Sequence, residues 1–224
     1  MTKIKTFAKQ HWPYMLASFC LPFLIMAVIY LTIGIYPGSS RSILASDAFS
    51  QFSNFHASFR NMLLGKQSIF YTWNASLGLN YLALISYYLG GIFTPLVLFF
   101  PNQLMPDALY FLTLIKIGSA GLAFWFYASQ TFKIQRWQHV TLAVCYALMS
   151  FITAHSELIM WLDAMIYLPL VILGIDRLVK KKKPVVLFIS YLLLFLSSFY
   201  MGFMIGLFSV MYFLVQLGRN WKQA

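Results

Sequence analysis

The sequence predicts an all-α polytopic membrane protein, and three observations carry that prediction. Of its 224 residues 61% are apolar and only 9% are charged, against about 25% charged in an ordinary soluble domain. The apolar residues come in runs long enough to cross a bilayer. The charge balance is one-sided, with 16 Lys and Arg against five acids, and the basic residues gather at the ends of the apolar runs. That is the pattern of cytoplasmic loops facing anionic lipid, not of a nucleic-acid surface. A soluble enzyme, a disordered tail and a nucleic-acid partner are excluded.

The first span is 13–36, 24 residues without a charge. It is too long for a signal-peptide core and reads as uncleaved, with Lys3, Lys5 and Lys9 holding the N-terminus in the cytoplasm. Pro37-Gly38-Ser39-Ser40 breaks it. From 46 to 65, Phe52, Phe55, Phe59 and Met62 recur at helical spacing, while Asp47, Gln51, Asn54 and Ser58 line another face. This predicts an amphipathic helix in the interface, ended by Gly65. The segment 73–78 is a loop. The apolar stretch 81–100 contains Gly90, Gly91 and Pro95, so it reads as either a span or a broken surface segment.

Charge counting chooses between these. Further spans are expected at 108–128, 137–154, 158–175, 184–199 and 201–217, the last two split at 197–202 because 34 apolar residues exceed one crossing. If 81–100 does not cross, twelve basic residues, Lys222 among them, fall inside and three (Arg41, Arg60, Lys66) outside. If it crosses, Lys133, Arg136 and the four lysines 180–183 fall outside, against the positive-inside rule. The expected architecture is therefore one integral-membrane domain over 1–224. It has about six spans, two interfacial or re-entrant helices in an extracytoplasmic loop at 37–106, spans two to six over 108–217, and both termini in the cytoplasm.

This topology collects Asp47, Asp107, Glu157 and Asp163 toward the outer leaflet and leaves Asp176 as a cytoplasmic surface charge. Asp47 is either a helix cap or a chemical group, with Gln51 and Asn54 on its face. Lys116, nine residues into a span, requires a carboxylate partner, Asp163 or Glu157, or else serves an anionic substrate. Glu157 and Asp163 are six residues apart, and one turn of loop between them aims both at one pocket. His155 ends a span as an interfacial residue or a substrate contact. Cys20 and Cys145 lie in apolar runs and read as packing residues. No phosphate loop, nucleophile elbow or metal cluster is present as a motif.

The blocks Ser46-Asp47-Ala48-Phe49-Ser50-Gln51-Phe52, Phe70-Tyr71-Thr72-Trp73-Asn74, Leu77-Gly78-Leu79-Asn80 and Tyr87-Tyr88-Leu89, with Leu114-Ile115-Lys116-Ile117 and Met165-Ile166-Tyr167-Leu168-Pro169-Leu170, resemble the bacterial YfhO-type membrane proteins from about 14 to 212. The resemblance implies a polytopic glycosyltransferase of the GT-C type. Such an enzyme takes sugar from a polyprenyl-phosphate donor on the outer face and passes it to a cell-envelope polymer of the teichoic-acid kind. It implies Asp47 as the first-loop acid and catalytic base, and Lys116 as the intramembrane lysine. From their positions in the chain, Gln51, Asn54, Arg60, Lys116, His155, Glu157 and Asp163 are the expected substrate contacts, and a divalent cation held by Asp47 and Glu157 is an open option. Proteins of this type are usually several hundred residues longer, so the expected chain is the N-terminal portion of such an architecture, completed by further sequence or a second polypeptide. The alternatives are a lipid-linked-substrate flippase or transporter, and a non-catalytic membrane subunit.

Overall fold

The computed structural model describes residues 2–75 and 77–220; Ser76 of the predicted loop and Lys222 of the basic count lie outside the described residues. The first apolar run forms α1 (Thr2–Thr32). A turn of π-helix at Ala48–Phe52 continues into α2 (Ser53–Leu63), and Gly65, at φ +73°, stops it. A two-residue hairpin of β1 (Tyr71–Thr72) and β2 (Leu79–Asn80) follows, with Tyr71 opposite Asn80. Asn80 then caps α3 (Tyr81–Leu84) by accepting from the Leu82 and Ala83 amides, which leads into a π turn at Ile85–Leu89 and a 3₁₀ turn at Thr94–Phe99. The long helices are α4 (Met105–Thr131), α5 (Arg136–Ala147) with the short α6 (Ser150–Ala154), and α7 (Ile159–Lys181). The chain closes with α8 (Val185–Ser197) and α9 (Phe199–Arg219).

Among the described residues, five helical stretches are long and apolar enough to cross a membrane: Lys9–Thr32, Asn102–Thr131, Arg136–Ala154, Ile159–Lys181 and Phe199–Arg219. The sixth expected span is α8. Its 13 residues reach about 20 Å at 1.5 Å per residue, short of a 30 Å hydrocarbon core. It still joins the two ends of the bundle, packing near Gly174 of α7 at one end and near Gly90 at the other. The run 184–217 divides at Ser198, whose extended backbone (φ −161°, ψ 102°) separates α8 from α9, inside the window set by its length.

The centre of the bundle is the pair α4 and α7. Their apolar windows are 72% and 78% buried, against 22% for α1 and 28% for α9, which turn most of their surface to lipid. The segment 37–104 stays at one end, because the Gly38 amide donates to Asp107 Oδ1 at 3.2 Å and so ties the exit of α1 to the start of α4. Most of the basic residues gather at the opposite end: Arg136 lies over the Tyr14 ring at 5.9 Å, and Arg177 bonds Gln130.

The expected span 137–154 falls on the helical stretch Arg136–Ala154, which breaks at Met149, whose extended backbone (ψ 153°) starts α6, with Leu148 and Met149 packed onto the core. Two expectations are corrected. Asp176 is not a surface charge but is 7% exposed, accepting from Tyr212 Oη at 3.0 Å with Lys180 Nζ 3.8 Å away. Cys145 is not a packing residue: it is exposed, on the outward side of α5.

Candidate functional site

Two polar regions are built at the loop end of the bundle. The deeper one is an ion pair between the central helices. Lys116 Nζ on α4 lies 2.7 Å from Asp163 Oδ2 on α7 and donates to the Ile159 carbonyl at 3.0 Å. Each side chain is 1% exposed. Breaking such a pair leaves a buried charge uncompensated, which makes it a clamp between its two helices. Of the two partners the sequence allowed for Lys116, the fold selects Asp163.

The Gly90-Gly91 dipeptide seals this pair. A Cβ on Gly91 would stand 2.5 Å from Asp163 Oδ2, and one on Gly90 would stand 1.7 Å from the Leu196 carbonyl oxygen of α8. Both contacts exist because glycine has no side chain. The 81–100 segment is thus wedged between α7 and α8, and the Thr94 amide closes its turn onto the Gly91 carbonyl at 3.0 Å.

The second region is a polar groove of about 550 Å³ between α2 and the hairpin. Ser50, Asn54, Ser58, Asn61, Thr72 and Asn74 supply its polar lining. Gln67 ties its two walls, accepting from Ser58 Oγ at 2.8 Å and from Asn74 Nδ2 at 3.2 Å. Asn102 Nδ2 donates to Asn61 Oδ1 at 3.2 Å. Among the described residues the lining carries no charged side chain.

Asp47 stands one turn before Ser50. Ser46, at φ +48°, turns the chain into the helix, and Asp47 occupies the N-cap position without making a side-chain cap bond. It is exposed. Tyr88 from the 81–100 segment packs on Phe52 and Phe55, with centroids at 5.7 and 5.0 Å. Burial raises the Tyr88 hydroxyl pKa, and the charges of Tyr87 and Asp47 raise it further.

Residues 18–224 match the family model of the bacterial membrane protein YfhO. The chain belongs to that family. No curated protein and no solved structure matches it. Within this YfhO-family fold the remaining expected site residues separate. Asn54 lines the groove, whereas Gln51, half-buried one turn earlier, does not. Arg60 is half-buried on α2, its Nε without a hydrogen-bond partner among the described residues. His155 Nδ1 donates to the Phe151 carbonyl at 3.0 Å and the ring packs on Phe151 and Trp161, the position of a helix-end residue. Glu157 is half-buried within electrostatic range of Tyr30, whose hydroxyl bonds Ser156 at 3.0 Å. Asp163 is sealed, so the two acids do not face one opening. Among the described residues no group of three or more His, Cys, Asp or Glu side chains is placed to hold a metal, so a cation between Asp47 and Glu157 would lack a third such ligand.

One residue escaped the sequence reading. The buried stripe of the amphipathic helix is Ala48, Phe52, His56 and Phe59, with Phe55 and Met62 at its margin. His56 is 1% exposed. Its Nδ1 donates to the Phe52 carbonyl at 2.7 Å and its Nε2 has no hydrogen-bond partner among the described residues. Burial pushes its pKa down to about 4; the carbonyl bond opposes that fall and the Lys116 charge adds to it. The signal was the spacing: His56 follows Phe52 by four residues on an otherwise apolar stripe.

Proposed function

We propose that this YfhO-family chain forms the sugar-handling face of a membrane glycosyltransferase, working in the cell membrane with both termini in the cytoplasm. The donor is a polyprenyl-phosphate sugar and the acceptor an extracytoplasmic glycopolymer. The observation that carries this reading is the uncharged groove of amides and hydroxyls beginning one turn from an exposed, uncapped Asp47. Side-chain amides and hydroxyls pair with the hydroxyls of a neutral sugar, and an acid at the rim of that groove is free to take a proton. The gathering of basic residues at the opposite end supports the orientation.

In this reading the Asp47 carboxylate accepts the proton of an acceptor hydroxyl. The hydroxyl oxygen bonds the anomeric carbon as the bond from that carbon to the phosphate oxygen breaks, with inversion, and polyprenyl phosphate leaves with the electron pair. A phosphate leaving group needs charge neutralisation more than protonation. Lys116, which Asp163 already neutralises, is not the group that supplies it, and neither is Arg60, which stands 13 residues, about 20 Å of helix, from Asp47.

The test is transfer of labelled sugar by the intact protein in lipid. Asp47→Asn keeps size and cannot accept the proton, so transfer falls at least about 100-fold, the low end for loss of a general base. Near-normal transfer ends the assignment. The buried Lys116–Asp163 pair favours one second reading, a transporter of lipid-linked substrate, since intramembrane ion pairs mark translocation paths. Substrate flipping by the protein in vesicles, without sugar transfer, would select it.

A further inference from the structure

At the basic end of the bundle, α4, α7 and α9 end around two confluent cavities that share Thr131, Asp176 and Lys180. The larger, about 450 Å³, also has Gln216, Arg219 and Asn220 in its wall. The smaller, about 100 Å³, adds Arg177 and Lys181. Of the five acids in the chain only Asp176 lines them, and it already accepts from Tyr212 Oη and faces Lys180. Four cations and one carboxylate leave an excess of three positive charges. The three helix C-termini that point here carry about half a negative charge each, which offsets half of that excess and no more. The space is therefore net cationic and too large for one ordered water, with Asn220, whose amide nitrogen donates to Gln216, beside the charges.

We propose that these cavities bind the phosphate headgroup of an anionic phospholipid, with Lys180 and Arg219 contacting the phosphate and Asn220 the polar part of the headgroup. Three features favour this ligand. Guanidinium and ammonium groups make charge-assisted bonds to phosphate oxygens. The neighbouring surfaces of α8 and α9 are exposed and apolar, with Phe208, Met211 and Val215 turned outward, so acyl chains have a surface to lie on. And a basic pocket between membrane helices at headgroup depth is where such lipids are held. The site is separate from the groove beside Asp47 and stands or falls without it.

The experiment measures unfolding temperature and retained lipid for the full chain in nanodiscs of phosphatidylcholine, with and without phosphatidylglycerol, at constant salt. Phosphatidylglycerol raises the unfolding temperature of the wild type. Lys180→Gln/Arg219→Gln removes that rise and weakens phosphatidylglycerol retention about 30-fold, the effect of two cations at a headgroup. Both side chains are substantially exposed, so the fold tolerates the change. Lys133→Gln/Lys183→Gln, exposed at the same end but outside the cavities, removes the same charge and keeps the rise. Equal loss in the two double variants means diffuse surface attraction and overturns the proposal. So does the absence of any phosphatidylglycerol effect, and so does stabilisation by millimolar inorganic phosphate in phosphatidylcholine discs with none from the lipid.

Discussion

Asp163 and Asp47 are the same functional group in opposite surroundings. Asp163 sits between the two most buried helices, 1% exposed, held by Lys116 and covered by Gly91. Asp47 opens the helical segment that runs into α2, exposed and making no cap bond. A carboxylate that has been desolvated, paired and covered acts as a clamp, because every departure from that arrangement exposes an uncompensated charge to the apolar interior. A carboxylate left in the interface, with no structural bond to make, is available for chemistry. In the proposed function, that difference separates the polar residues of this protein into those that hold the bundle and those that face a substrate.

Substitutions can break that contrast. Lys116→Met leaves Asp163 buried and alone, so unfolding in lipid discs should show a loss of about 3–5 kcal/mol. Lys116→Met/Asp163→Leu, which removes both charges, recovers much of it. A single variant as stable as the wild type would remove the clamp from the account.

His56 sharpens the contrast through pH. Its folded pKa is about 4 against an ordinary value of 6.5, so the unfolded state binds the proton first. The stability it contributes is full above about 6.5 and is lost as pH falls toward 4. By linkage that is about 3 kcal/mol, at roughly 1.4 per pKa unit. Thermal unfolding recorded across that window should flatten in His56→Phe, and an unchanged pH slope would mean the imidazole is not held neutral.

Gly91→Ala drives a methyl against the Asp163 carboxylate at 2.5 Å and should cost about 1–3 kcal/mol, as overpacking does. Gly206→Ala, inside α9 with open space around the position, serves as its control and should cost nothing, or stabilise by up to about 1 kcal/mol because alanine is the better helix former. Asp47→Asn lies at the small end, also within about 0.5 kcal/mol in stability, since no cap bond is there to lose. A large destabilisation would return Asp47 to the structural class with Asp163.

How much of this was legible follows from the range of each interaction. Five of the expected spans, the break near Ser198 and the amphipathic helix ended by Gly65 could be read in order along the chain. Hydropathy runs, apolar spacing and the side on which lysines fall are local properties, and a bilayer reads them locally. The choice of Asp163 over Glu157 for Lys116 depended on how α4 and α7 rotate against each other, across 47 residues of chain. The burial of His56 and of Asp176, the break at Met149 inside a uniformly apolar run, and the fit of Gly90 and Gly91 between α7 and α8 were likewise decided by neighbours distant in sequence. Composition and periodicity state that a polar group in an apolar run must be satisfied; only the packed bundle determines which distant group satisfies it, because a hydrogen bond or ion pair is set within tenths of an ångström and no local pattern carries that information.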